Sequence, residues 1–292
     1  MEKQKLYESR RHGTSYFPME FFEVTNENGQ HYVNLHWHRN IEFILVHRGT
    51  CSVTVSRTEY SARPGDIYIF NQEALHRIYS DDTRLSYGTF IFPLSSLEFA
   101  SEDSAGKSLR RLIDGRMLFP EHISASDSLS APLAKILDSI LAAQEEKYSG
   151  CELFIKAQLI RFAAELMHHS RLVKPEGLAA ENLQRKNERL KQILTFINEN
   201  CSSELSLSVM AENFHVSEKY FSRHFIAESG QTFTEYLNHC RIEKACRLLK
   251  ETDLSVLEVA LESGYENISY FIRVFRAQKG CTPLKYRKSS VE

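Results

Sequence analysis

Apolar residues follow two different periods along this chain, and the change of period divides it. Between about Met19 and Pro93 they come in short or alternating runs: Glu20–Val24, Glu42–Val46, Cys51–Ser56, Asp66–Phe70 and Arg84–Phe92. Such runs predict strands, because successive side chains of an extended chain point to opposite faces. Turn-forming pairs at Asn28-Gly29, Arg48-Gly49 and Pro64-Gly65 separate them. Strands this short and this regularly spaced predict a sandwich or barrel. From residue 106 the period becomes helical. Pro132–Lys147 carries Leu133, Ile136, Leu137, Ile140 and Leu141, and Glu152–His168 carries Leu153, Ile155, Leu159, Ile160, Ala163 and Leu166. The polar stretch around Lys174-Pro175-Glu176-Gly177 reads as a linker over residues 171–186.

The C-terminal part contains one pattern twice. Tyr220–Phe225 reads Y-F-S-R-H-F and Tyr270–Phe275 reads Y-F-I-R-V-F; sliding residues 206–236 by fifty leaves 11 of 31 positions identical without a gap. The identities include Leu207/Leu257, Val209/Val259, Glu212/Glu262, Phe221/Phe271, Arg223/Arg273, Gly230/Gly280 and Tyr236/Tyr286. A repeated unit implies one physical task performed twice. Ser217 and Asn267 stand where each unit's second helix should be N-capped, and Gly230 and Gly280 where it should stop. Phe221 and Phe225, like Phe271 and Phe275, are spaced i, i+4 and predict a buried face. The opposite face then shows Lys219, Ser222, Arg223 and Ile226 in one copy, and Ile268, Ser269, Ile272, Arg273 and Arg276 in the other. An amphipathic segment precedes each, Leu205–Phe214 and Val256–Ser263. Helix, tight turn and capped second helix with an exposed Arg is the helix-turn-helix pattern, and such an Arg can bond guanine O6 and N7 in a major groove. The bland alternative is a pair of helical hairpins with solvated arginines.

The segment Leu205–Arg287 resembles the DNA-binding domain of the AraC/XylS family of bacterial transcription regulators. The second-motif signature is carried by Val259-Ala260, Gly264-Tyr265, Ser269-Tyr270-Phe271, Arg273-Val274-Phe275, Gly280, Pro283 and Tyr286-Arg287. Tyr236-Leu237-Asn238, Arg241–Ala245 and Leu248-Leu249 resemble its connecting helix. The resemblance implies two recognition helices in successive major grooves of double-stranded DNA, with base contacts from Lys219, Ser222 and Arg223, then Ile268, Ser269, Ile272 and Arg273. Ile268 and Ile272 depart from a polar readout and suit thymine methyl groups, or a helix that contributes shape and phosphate contacts. It further implies a small-molecule effector, a homodimer formed through the helices of residues 106–170, and RNA polymerase as a partner if the protein activates.

Bulk composition narrows the setting. The 292 residues suit two domains, and a net charge of −2 argues against a general nucleic-acid coat. From Gln184 onward 16 Lys+Arg face 14 Asp+Glu, leaving about −4 for the front part, so weak non-specific affinity with steep salt dependence is expected. Lys219, Arg223, Arg273, Arg276 and Lys279 lie where phosphates or bases would be. Six dispersed cysteines without a C-x-x-C pair fit a reducing compartment. Met1–Pro18 has no apolar signal stretch and no run of eighteen apolar residues occurs, so the expectation is a cytoplasmic protein without a membrane span.

Within the front half, His36-x-His38, Glu42 and Gly49 follow H-x-H-x3-E-x6-G, and His76 comes after Gly65-Asp66. This resembles the two motifs of the cupins, small jelly-roll barrels. Gly29 lies one residue too far upstream, and Asn71, Glu73 and Ser80 replace the proline, glycine and asparagine of the second motif. Three readings stay open for His36, His38, Glu42 and His76: a divalent-metal site, a metal-free pocket for a sugar or similar effector, and a structural role. Trp37 alternates away from both histidines and is expected to pack. The fold class is therefore α+β multidomain: a cupin-like barrel (1–105), a helical, dimerising region (106–170), the linker (171–186) and an all-α double helix-turn-helix domain (187–292). The competing function is a cupin metalloenzyme, an isomerase or dioxygenase, fused to a DNA-binding domain. No other acid–base or nucleophile constellation supports it.

Overall fold

A computed structural model describes residues 12–26, 30–100, 103–175 and 178–288, with backbone alone for 178–186. The Asn28-Gly29 pair lies outside them. The strands are β1 (Glu20–Thr25), β2 (His31–His36), β3 (Ile41–Arg48), β4 (Cys51–Val55), β5 (Thr58–Ala62), β6 (Ile67–Phe70), β7 (His76–Ser80), β8 (Ser86–Phe92) and β9 (His122–Ile123). They form two antiparallel sheets, ordered β1-β8-β3-β6-β9 and β2-β7-β4-β5. Ile44, Val46, Val53, Val55, Tyr68, Phe70, Ile78 and Tyr87 fill the space between them. Central strand β3 is buried on both faces, which explains the consecutive apolar residues Phe43–Val46.

The second face of the larger sheet, with Phe43, Leu45, Ile67, Ile69 and Phe90, packs under helices α2 (Ser130–Glu146) and α3 (Cys151–His168). Phe43 and Phe162 stack with centroids 4.7 Å apart. Helix α1 (Ser104–Ile113) joins the same core through Leu109 and Leu112. Leu133, Ile136, Leu137, Ile140, Ile155, Leu159, Ala163 and Leu166 are all buried within this one chain. The apolar stripes expected to meet a second subunit are thus covered by the protein's own barrel, and only Leu153 of that set is well exposed.

The C-terminal helices are α4 (Leu178–Asn200), α5 (Leu207–Asn213), α6 (Glu218–Ser229), α7 (Phe233–Glu251), α8 (Val256–Glu262), α9 (Ile268–Lys279) and α10 (Pro283–Lys288). Helix α4 begins at Leu178, so residues 178–186 of the expected linker are helical. The remaining signals act locally as anticipated: Ser217 and Asn267 oxygens accept the N–H groups of Tyr220 and Tyr270, and Gly230 and Gly280 end their helices with φ of 70° and 68°.

The repeat departs from a uniform fifty-residue shift. Helices α6 and α9 correspond at fifty, but α5 and α8 at forty-nine. Their N-caps are Ser206 and Ser255, and their buried pairs Met210-Ala211 and Val259-Ala260. Leu207/Leu257, Val209/Val259 and Glu212/Glu262 are therefore not equivalent positions. Leu207 packs against a core whereas Leu257 is exposed. One extra turn residue in the second unit absorbs the difference. The left-handed position falls on His215 (φ 54°) in one turn and on Gly264 (φ 87°) in the other.

Candidate functional site

Two surfaces carry chemistry. On the helix-turn-helix domain, Phe221, Phe225, Phe271 and Phe275 are fully buried, which turns the far sides of α6 and α9 outward. Lys219, Arg223, Ser269, Ile272, Arg273 and Arg276 are exposed, while Ser222 and Ile268 are half-buried. All eight sequence-assigned residues thus lie on two capped helices with the same outward face. Lys219, Arg223, Arg273 and Arg276 form no ion pair among the described residues. Arg273 sits 5.1 Å from the centroid of the Tyr270 ring, a cation–π contact that pre-positions the guanidinium. Lys279 differs from its expected role: it is mostly covered and paired with Glu243 of α7 at 2.5 Å. That carboxylate outweighs burial and raises the ammonium above its ordinary range.

The second surface lies at one end of the space between the sheets. Glu42 shares the inward face of β3 with Ile44 and Val46, and His76 shares that of β7 with Ile78. His36 closes β2 opposite His76, and His38 follows it. One ligand atom from each of His36, His38, Glu42 and His76 lies within 4.8 Å of the others. Glu42 Oε2 is 3.0 Å from His38 Nε2 and 3.3 Å from His76 Nε2. His38, Glu42 and His76 are buried; His36 is half-exposed and marks the open side. Burial favours the neutral acid at Glu42, but the adjoining His38 and His76 rings outweigh it and hold the carboxyl well below the usual range. Trp37 points away from the cluster, under Lys191 of α4 at 5.5 Å.

Comparison with known proteins matches both halves. A family of AraC-like ligand binding domains covers residues 18–163, and a helix-turn-helix domain family covers 210–289. The chain belongs to the AraC/XylS family of transcription regulators. The uncharacterized HTH-type transcriptional regulator YdeC of Bacillus subtilis is 25% identical over 98% of this chain and 97% of its own. The HTH-type transcriptional activator RhaS of Enterobacter sp. strain 638 is 23% identical over 87% of each. Among solved structures, the C-terminal domain of the response regulator yesN from Fusobacterium nucleatum is 35% identical, covering 34% of this chain and 98% of that one with a TM-score of 0.34.

This AraC/XylS-type regulator joins its two surfaces through contacts that sequence reasoning missed. Leu35, Trp37 and Leu75 of the barrel share one core with Leu190, Ile193 and Leu194 of α4, Phe221 and Phe225 of α6, and Tyr236 of α7. Tyr32 donates to Gln231 at 2.8 Å, and the Tyr236 hydroxyl donates to the Leu35 carbonyl at 3.3 Å. Arg77 reaches the carbonyls of Ser229 and Gly230, both at 3.4 Å, and Arg57 pairs with Glu228. These cations meet the C-terminal end of α6, where the helix dipole is negative. The partners are about 150 to 200 residues apart in the chain, so no local pattern announces them. Among the described residues no helix is long and apolar enough to cross a membrane.

Proposed function

We propose that the regulator reads its operator with α6 and α9 in successive major grooves. Lys219, Ser222 and Arg223 serve one half, and Ile268, Ser269, Ile272 and Arg273 the other. Arg276, on the last turn of α9, meets phosphate. The observation that carries this is the recurrence of one exposed Arg, at 223 and 273, opposite a buried phenylalanine pair on two helices that each start at a short polar N-cap and stop at a left-handed Gly. Each bidentate Arg–guanine contact would contribute about 1–3 kcal/mol of discrimination. The half-exposed end of the barrel at His36, His38, Glu42 and His76 is where the small effector binds. The matched relatives are named as regulators, which supports a non-enzymatic role for the barrel. Six free cysteines suit work in the cytoplasm, where thiols stay reduced.

The deciding experiment selects duplexes from a random pool with the full-length protein and then titrates Arg223→Ala, Arg273→Ala and the double variant. Folded single variants should lose about 1–3 kcal/mol at the selected site and little on scrambled duplex. A folded double variant that binds the selected site as tightly as the parent defeats the assignment.

A further inference from the structure

Arg273 owes its position to a relay of contacts that begins outside its own helix. The guanidinium lies over the ring of Tyr270, on the preceding turn of α9, at 5.1 Å. The Tyr270 hydroxyl lies 3.0 Å from Nδ2 of Asn238 on α7. The Tyr265 hydroxyl, in the turn before α9, lies 3.4 Å from the Asn238 backbone carbonyl and 3.2 Å from its side-chain oxygen. A backbone carbonyl only accepts, so the Tyr265 O–H points at Asn238, and the amide turns its own oxygen toward that proton. The amide NH2 is then left to donate to Tyr270. Tyr265 is itself buried, and its ring lies 5.5 Å from Arg241, which is bonded to the Cys201 and Ser203 carbonyls. The half-buried Tyr270 ring is thus anchored from α7 and offers Arg273 a fixed plate.

The first unit has no such relay. Val216 stands where Tyr265 does: the N–H groups of the two residues bond the Ala211 and Ala260 carbonyls in matching turns. Val216 has no hydroxyl to orient a partner. Tyr220, the counterpart of Tyr270, is exposed and stacks on His224, with centroids 5.6 Å apart. Arg223 has neither a ring nor an ion-pair partner among the described residues.

The difference bears on recognition. An arginine that is free to rotate gives up that freedom when it grips a base, whereas one held beforehand has less to lose. Stacking uses the face of the guanidinium and leaves its edge N–H groups for guanine O6 and N7, so the held geometry is compatible with reading. On α9 the outward neighbours Ile268 and Ile272 are apolar, so polar readout there falls to Ser269 and Arg273. We propose that Asn238 is a positioning residue for DNA readout: through Tyr270 it holds Arg273 ready for guanine, so that the half-site under α9 is read more strictly for guanine than the half-site under α6. This deepens the DNA-binding reading above and rests on it.

The test uses full-length protein and two variants that cut the same bond from opposite ends, Tyr270→Phe and Asn238→Ala. Tyr270→Phe removes one oxygen and keeps the ring, so it serves even if Asn238→Ala fails to fold. Without DNA, nuclear magnetic relaxation of the arginine Nε–H groups should find Arg273 restricted and Arg223 mobile. In either variant Arg273 should become as mobile as Arg223. Guanines of the selected duplex are then replaced one at a time by an analogue with carbon in place of N7. The guanine under α9 is the one whose replacement ceases to matter in Arg273→Ala, and Arg223→Ala marks the one under α6. In the parent the penalty should be larger under α9. Tyr270→Phe should lose about two- to tenfold in affinity for the selected duplex. It should also shrink the penalty under α9 and leave that under α6 unchanged, whereas a general loss of structure would lower both. The double variant should do no more than Asn238→Ala alone. Equal mobility of the two arginines in the free parent overturns the anchoring. A parent penalty under α6 as large as that under α9 overturns the difference in strictness. Penalties that fall equally at both guanines, or at neither, in Tyr270→Phe overturn the positioning role. If the parent selects no duplex, the DNA reading fails by itself, and relaxation of the free protein still decides whether Asn238 and Tyr270 hold Arg273.

Discussion

Tyr32 of the barrel and His239 of α7 stack face to face, with centroids 3.8 Å apart and planes inclined by 7°. Burial lowers His239 to about 4 against an ordinary 6.5, so the docked ring is neutral at pH 7. The groups around it are Glu235 and Glu243 of α7 and Gln278 and Lys279 of α9. Tyr32 covers one face of this ring, so undocking returns His239 toward its ordinary value and lets it bind a proton between pH 6.5 and 4, where the docked ring stays neutral. Docking is therefore strongest above pH 6.5 and weakens as pH falls through that window. Trp37 emission and hydrogen exchange in α7 between pH 7 and 5 should show it. His239→Phe keeps the stack without the proton, so parent and variant should diverge on acidification. Parallel curves would refute the assignment.

Arg276 and Lys279 sit three residues apart but should behave oppositely. Arg276→Ala removes an exposed cation at the proposed phosphate edge and should weaken all duplexes alike, lowering the salt slope by about one. Lys279→Ala should leave the salt slope unchanged, because that ammonium is spent on Glu243. Titrations at several salt concentrations distinguish the two.

Phe271→Ala should cost about 3–5 kcal/mol by opening a cavity in the second unit's core. That core is built from Ile242, Ala245, Leu249, Val259, Tyr265, Phe271 and Phe275, with no barrel residue in it. Denaturant unfolding with hydrogen exchange should therefore find the barrel joint intact. Phe221→Ala, with its neighbours in the shared core, should loosen the joint as well.

Gly264→Ala should destabilise the second unit by about 1–3 kcal/mol through backbone strain. The position has φ 87°, and an added Cβ would meet the Cys201 carbonyl oxygen at 2.7 Å and Ser202 Cα at 2.8 Å. Urea unfolding followed by far-ultraviolet circular dichroism measures the loss. A neutral outcome would mean that the turn tolerates a side chain there.

Legibility followed the range of the interaction. The caps at Ser217 and Asn267 and the stops at Gly230 and Gly280 are decided within one helical turn, and they read correctly. Strand β3 was visible because both its faces are apolar. Strand β2 was not, because its bulge breaks the alternation and its outer residues, Tyr32 and Asn34, are polar groups matched to Gln231 and Cys240. Strand β7 hid for a similar reason: its inward ends are His76 and Ser80, and Arg77 between them serves α6. The four cluster residues could be named from spacing, yet their convergence depends on strand pairing. The one-residue difference between the two turns was masked by chance identities such as Leu207/Leu257.

On the proposed reading, in which α6 and α9 each serve one half of an operator, the unequal ownership of the two cores should give those halves different jobs. Nucleotide changes under α9 meet a unit whose apolar core contains no barrel residue, so they should scale promoter occupancy by one factor in every ligand state. Changes under α6 meet a unit whose packing includes Leu35, Trp37 and Leu75, so they should alter the ratio between ligand states. A promoter served by this regulator can then set its basal level with one half-site and its dynamic range with the other.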